Sequence, residues 1–119
     1  MATTAQFQWD DPLLIEDQLT AEERAIRDDV RRFAQERLAP LIVDWNAREY
    51  FDPALHREFA ALGLLGGTLE GYGCPGLSHV AYGLAARELE RVDTAFRSAV
   101  GVQSGLAMAA IHAFGSEEQ

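Results

Sequence analysis

Apolar residues recur at three- and four-residue intervals along most of this chain, and no stretch alternates apolar with polar residues long enough to make a strand. The pattern predicts helices throughout. After a lead in which Phe7, Trp9, Leu13, Leu14 and Ile15 are set to pack as an arm, Thr20 and Glu23 form a T-x-x-E capping box. The helix it opens turns Ile26, Val30, Phe33 and Leu38 inward and Glu22, Arg27, Asp28, Arg31 and Arg32 outward. Pro40 is expected to end or kink it, with a further apolar turn at Leu41, Ile42 and Trp45 before a polar corner at Asn46 to Tyr50. Asp52 and Pro53 read as the cap and first residue of a short helix through Leu55, Phe59 and Leu62, with Gly63 as its terminal glycine.

The irregular part is Leu64 to Leu77, where Gly71, Gly73 and Gly76 satisfy a G-x-G-x-x-G spacing. That motif cradles a pyrophosphate only as a strand-to-helix turn, and here the preceding residues close a helix while Pro75 removes an amide, so the match carries no nucleotide site. Ser78 then caps a helix with Ala81, Leu84, Ala85, Leu89 and Val92 on one side and Arg87, Glu88, Glu90 and Arg91 on the wet side. Asp93 caps the next, Thr94 to Gly115, which is nearly all small or apolar and reads as a buried core helix, with Gly101, Gly105 and Ala109 as a close-packing stripe. Ser116 to Gln119 form an S-x-x-Q box that predicts the start of a further helix, cut short at the chain's end. The expected fold is an all-α bundle of about five or six helices, with residues 1–19 as an arm and 20–119 as the helical domain.

Composition narrows what such a domain can do. At 119 residues it suits one core that buries roughly two thirds of the unfolded surface. A net charge of -9 argues against nucleic acid and anionic membranes as partners. All ten basic residues are arginines, which removes Schiff-base lysines and a Walker loop. Cys74 is the single cysteine, and His56, His79 and His112 lie on separate elements, so neither a disulfide nor a metal site is expected, and no nucleophile triad is readable. The N-terminus has no targeting pattern, and the expectation is a cytoplasmic protein of bacterial origin.

One residue stands out. Arg97 is the lone cation in the apolar Thr94 to Gly115 segment, and it must reach solvent, pair with a neighbour or await an anionic ligand. Asp93, four residues earlier, is the expected structural partner.

The segments WDDPLLIEDQLT, RDDVRRFAQERLAP, GYGCPGLSHVAYGLAARELERVD, FRSAVGVQSGLAM and FGSEEQ together resemble the N-terminal helical domain of the acyl-CoA dehydrogenases, most closely the glutaryl branch. The resemblance runs from about Trp9 to Gln119. It implies a flavoenzyme with a following β domain and C-terminal helical bundle, usually a homotetramer. There FAD is held mainly by regions beyond residue 119, and a C-terminal glutamate abstracts the α-proton of the acyl thioester. Electrons go to an electron-transfer flavoprotein, and the glutaryl enzyme also decarboxylates its intermediate to crotonyl-CoA. The 119-residue chain alone is then inactive, with no catalytic or cofactor-binding residue of its own, and contributes a wall of the acyl pocket.

Within that wall the resemblance maps a substrate-binding pair onto Arg97 and Ser98, where a glutaryl chain's free carboxylate would meet the guanidinium. Gly101 and Gly105 depart from the branch pattern, which carries serines there, so a related dicarboxylyl or short-chain acyl-CoA is a second substrate class. The competing reading is a free-standing acidic helical module that binds or assembles without catalysis.

Overall fold

The chain folds around a helix that lies between two others. In the computed structural model, which describes residues 7–119, α5 (His79–Glu90) packs against α2 (Ala21–Phe33) on one side and α6 (Thr94–Gly101) on the other. A short α1 (Ile15–Gln18) precedes α2, while α3 (Ala39–Ala47) and α7 (Ala109–Phe114) continue α2 and α6 through π-type segments at Ala34–Leu38 and Val102–Met108. With α4 (Leu55–Ala61) this makes five helical rods, the all-helical architecture expected of the pattern.

The core is the apolar stripe of each rod brought together: Val30, Ala34 and Leu38 from the first, Leu55 and Phe59 from α4, Ala85 and Leu89 from α5, Phe96 and Val100 from α6. Trp45 stacks edge-on to Tyr50 and Phe51 and tilts against Phe96, closing the end of the core where α6 begins. Each such fully buried Leu, Val or Phe contributes about 1.5–3 kcal/mol. The caps form as their spacing requires. Thr20 Oγ1 accepts from the Glu23 amide at 3.2 Å while Glu23 Oε2 accepts from the Thr20 amide at 2.9 Å. Ser78 Oγ accepts from Ala81 at 3.0 Å and donates to Glu23 Oε1 at 3.0 Å, tying the starts of α5 and α2 together.

Pro40 neither ends nor sharply breaks the first rod. A proline in an α-helix loses its own bond and its ring meets the carbonyl four residues back. Here Ala39 N–H instead reaches the carbonyl of Ala34, five back, so the wider turn absorbs the ring and the rod runs on to Ala47. In α4, Asp52 Oδ1 accepts from the Ala54 amide at 2.9 Å, but regular helix begins only at Leu55. Gly63 has φ +70°, the left-handed value a helix-ending glycine supplies.

Four further expectations are corrected. The glycine-rich loop holds a two-stranded antiparallel hairpin, β1 (Glu70–Gly71) and β2 (Cys74–Pro75), paired Glu70 to Pro75 and Gly71 to Cys74. Its central Tyr72 and Gly73 both have positive φ, 52° and 79°, as a two-residue hairpin turn with the strands' own twist requires. Arg27 and Glu88, placed by periodicity on wet faces, are buried at 7% and 1% exposure: Glu88 faces α2 and is held by Arg31 and Arg87, and Arg27 is held by Glu16 of α1 and by Asp28, ion pairs that make burial tolerable. Asp93 spends its side chain on the Ala95 amide at 2.8 Å, so it caps α6 and does not hold Arg97.

The fourth concerns the α6–α7 rod, which is buried only along Phe96, Val100 and Ser104. Val102, Leu106, Ile111 and Phe114 are exposed, the last two at 53% and 90%. Gly101 and Gly105 face open space, with no atom from outside their own helix backbone within 4 Å of a Cβ built on either, so the two glycines of the small-residue stripe pack against nothing among the described residues. At the chain's end half of the S-x-x-Q box is made, Gln119 Oε1 accepting from the Ser116 amide at 2.9 Å.

Candidate functional site

The start of α6 fixes the one cation of the apolar rod. Asp93, in extended backbone with φ −166°, caps the helix, and Arg97 leaves it one turn later beside the last turn of α5. There Arg97 Nε donates to Glu90 Oε2 at 2.7 Å, and Thr94 Oγ1 donates to the other oxygen, Glu90 Oε1, at 2.7 Å. Hydrogen bonds from Arg97 first and Thr94 second hold the Glu90 carboxyl below its usual range, so it is a carboxylate at neutral pH. Both side chains stay a little under half exposed, at 43% and 44%.

This geometry decides among the three fates open to Arg97. It pairs and it reaches solvent, and the pairing uses only Nε. The Nη1 and Nη2 groups have no partner among the described residues, leaving the fork of the guanidinium available to an incoming oxyanion. Glu90 holds the stem in one orientation, which lowers the entropy cost of a second contact.

Ser98, the next residue, opens in another direction. It lines a shallow cleft of about 350 Å³ with Phe51, His56, Ala99, Val102 and Gln103, and Arg97 is not part of that wall. The two positions therefore share one end of α6 without sharing a cavity. Gly101 lies a turn beyond Arg97 with open space above it.

Glu90 was missed by sequence reasoning. It sits seven residues before Arg97, across the break at Arg91 to Asp93, and a spacing that spans two helices has no periodic signature. Asp93 offered the correct spacing within one helix and the wrong partner.

The glycine motif is a hairpin whose Tyr72–Gly73 turn joins two strands, and the α5 N-terminus capped by Ser78 follows only after β2, Gly76 and Leu77, so the motif is not a strand-to-helix turn that cradles a pyrophosphate. Among the described residues no three His, Cys, Asp or Glu side chains are grouped to hold a metal ion, and no helix is long and apolar enough to cross a membrane.

The family model for the acyl-CoA dehydrogenase N-terminal domain matches residues 20–119. Among solved structures, the chain is similar to a glutaryl-CoA dehydrogenase from Mycobacterium smegmatis at 54% identity and TM-score 0.84, covering 91% of this chain and 28% of that one. A glutaryl-CoA dehydrogenase from the same organism in complex with FADH2 matches at 44% identity and TM-score 0.85, over 90% and 28% of the two chains. Among curated relatives, benzylmalonyl-CoA dehydrogenase of Aromatoleum aromaticum is 39% identical over 72% of this chain and 23% of its own length. The mitochondrial short/branched chain specific acyl-CoA dehydrogenase of Bos taurus is 30% identical over 84% and 23%. The chain thus spans about a quarter of the length of these relatives.

Proposed function

Since the chain belongs to the acyl-CoA dehydrogenase N-terminal domain family, we propose that it forms the acyl-pocket wall of an FAD-dependent dehydrogenase acting on glutaryl-CoA or a related dicarboxylyl-CoA. The observation that carries this reading is Arg97, anchored through Nε by Glu90 and presenting an unused guanidinium fork beside the apolar face of α6. A monocarboxylic fatty-acyl tail has no group for that fork. A tail ending in a second carboxylate does, through charge-assisted and bidentate hydrogen bonds. The names of two solved neighbours and of the benzylmalonyl relative support a substrate with that second carboxylate.

In this reading Arg97 binds and orients the distal carboxylate, Glu90 positions Arg97, and Ser98 offers a hydroxyl on the adjoining wall. The open space at Gly101 leaves room for a bulkier or branched tail one turn along. Flavin binding and proton abstraction belong to regions outside residues 1–119. On the same family resemblance the full-length protein is a homotetrameric cytoplasmic enzyme that passes electrons to an electron-transfer flavoprotein, with decarboxylation of the glutaryl-derived intermediate.

The decisive experiment is Arg97→Leu in the full-length protein. Loss of a charge-assisted contact corresponds to about 1.5–3 kcal/mol, or roughly 10- to 150-fold in kcat/KM for glutaryl-CoA, with butyryl-CoA little changed. Equal losses on both substrates would remove Arg97 from the carboxylate role. The exposed row Val102, Leu106 and Phe114 also suits a binding or assembly module without catalysis, a reading favoured by a full-length protein that oxidises no acyl-CoA.

A further inference from the structure

The residues lining a cleft beside the N-terminal arm take no part in the Arg97–Glu90 pair. It has a volume of about 610 Å³, within the size range of small-molecule sites, and lies between the arm and the α2–α5 seam. Arg27, Arg31, Arg87 and Arg91 all line it. In a chain of net charge -9, four guanidinium groups at one cleft call for an explanation.

Glu88, 1% exposed, supplies part of one. Arg31 donates to its two oxygens through Nε and Nη2 at 3.0 and 3.2 Å, and Arg87 donates through Nε and Nη2 to Oε1 at 3.3 and 3.1 Å. Burial pushes the Glu88 carboxyl up, but the bonds from Arg31 and Arg87 outweigh it and the net shift is downward. A carboxylate accepts about four hydrogen bonds, and these two arginines supply them. Arg91, its Nη1 3.8 Å from Glu88 Oε2, brings a third positive charge without a hydrogen bond of its own. Three guanidiniums thus share one carboxylate and leave a local surplus of two positive charges, anchored from below so that it cannot disperse.

The donors left over, Nη1 of Arg31, Nη1 of Arg87 and the whole of Arg91, have no hydrogen-bond partner among the described residues. On the arm's side, Glu16 is committed to Arg24 and Arg27, and Asp11 accepts from the Ile15 and Glu16 amides. Asp10 lines the cleft without such a commitment, and since amide donors leave the charge of Asp11 in place, both aspartates on this wall are internal competitors for the surplus charge.

We propose that this cleft binds a small multivalent oxyanion of the diphosphate class, free or carried by a nucleotide, through Arg31, Arg87 and Arg91. Three arginines on two packed helices, gathered by a buried carboxylate, are preorganised donors of the kind such anions select.

The test is calorimetric titration of the protein with pyrophosphate and with adenosine diphosphate at low ionic strength. Saturable one-site binding is expected for at least one of them. Arg91→Gln weakens it by about tenfold while leaving the melting temperature unchanged, since that side chain is 60% exposed and makes no hydrogen bond in the fold. Asp10→Asn tightens it, and Arg48→Gln, an exposed arginine outside the cleft, leaves it as it is. Tighter adenosine diphosphate assigns the anion to a nucleotide, and tighter pyrophosphate to a free diphosphate. Non-saturating heats with both probes, no effect of Arg91→Gln, or an equal loss with Arg48→Gln overturns the site.

Discussion

At the scale of single residues, Glu88 and Glu90 show how two nearby carboxylates acquire different work. Glu88 is buried beneath Arg31 and Arg87, and removing its charge leaves those cations without their partner at the seam. Because those arginines are 43% and 47% exposed and water can solvate them, Glu88→Gln is expected to cost about 1–3 kcal/mol in urea unfolding. Because its folded-state pKa lies below the ordinary 4.5, its contribution is complete above that value and is lost as pH falls through the lowered one. Carboxyl NMR titration of Glu88 in the folded protein is expected to give a midpoint below 4.5. Glu90 is half exposed and contributes orientation instead. Glu90→Gln should raise KM for a dicarboxylyl-CoA severalfold while kcat and butyryl-CoA kinetics hold, because only the aim of Arg97 is loosened.

At the scale of elements, the α6–α7 rod is pinned by Ser104. Its Oγ accepts from the Gly66 amide at 3.0 Å and donates to the Leu64 carbonyl at 3.2 Å, so one buried hydroxyl fastens the loop before the hairpin to the middle of the rod. The π-type segment, in which Ala109 N–H reaches the Ser104 carbonyl, adds a residue to the turn around it. Ser104→Ala strands a buried donor and acceptor, for an expected loss of about 1–3 kcal/mol, readable as a lower denaturation midpoint. The opposite sign is expected at Gly105→Ala. That glycine is helical with open space at its Cβ, and alanine should stabilise the rod by about 1 kcal/mol in the same measurement.

At the scale of the whole molecule, the radius of gyration is 16.8 Å against about 13.5 Å for a compact chain of this length, and the extents are 61 × 40 × 19 Å. A body this flat cannot cover every apolar face. Val102, Leu106, Ile111 and Phe114 lie uncovered along one rod. The 119 residues by themselves are expected to self-associate at concentrations where Leu106→Glu with Phe114→Glu remains monomeric by sedimentation, at equal helicity.

Read alone, the sequence determined what is local in origin. Caps at Thr20, Ser78 and Asp93, the terminal glycine at Gly63 and the apolar stripes through Val30, Phe59 and Leu89 all follow from interactions within a few residues, and each formed as its spacing required. Arg97 was likewise visible as a charge out of place. The tertiary structure alone decided which faces met. It buried Glu88 by turning α2 and α5 toward each other and Arg27 by pairing it with Glu16 of α1, and left Val102 and Leu106 bare because nothing among the described residues packs on that side. It gave Arg97 to Glu90 across a helix break. Those outcomes depend on distances between rods, and periodicity along one rod carries no measure of them.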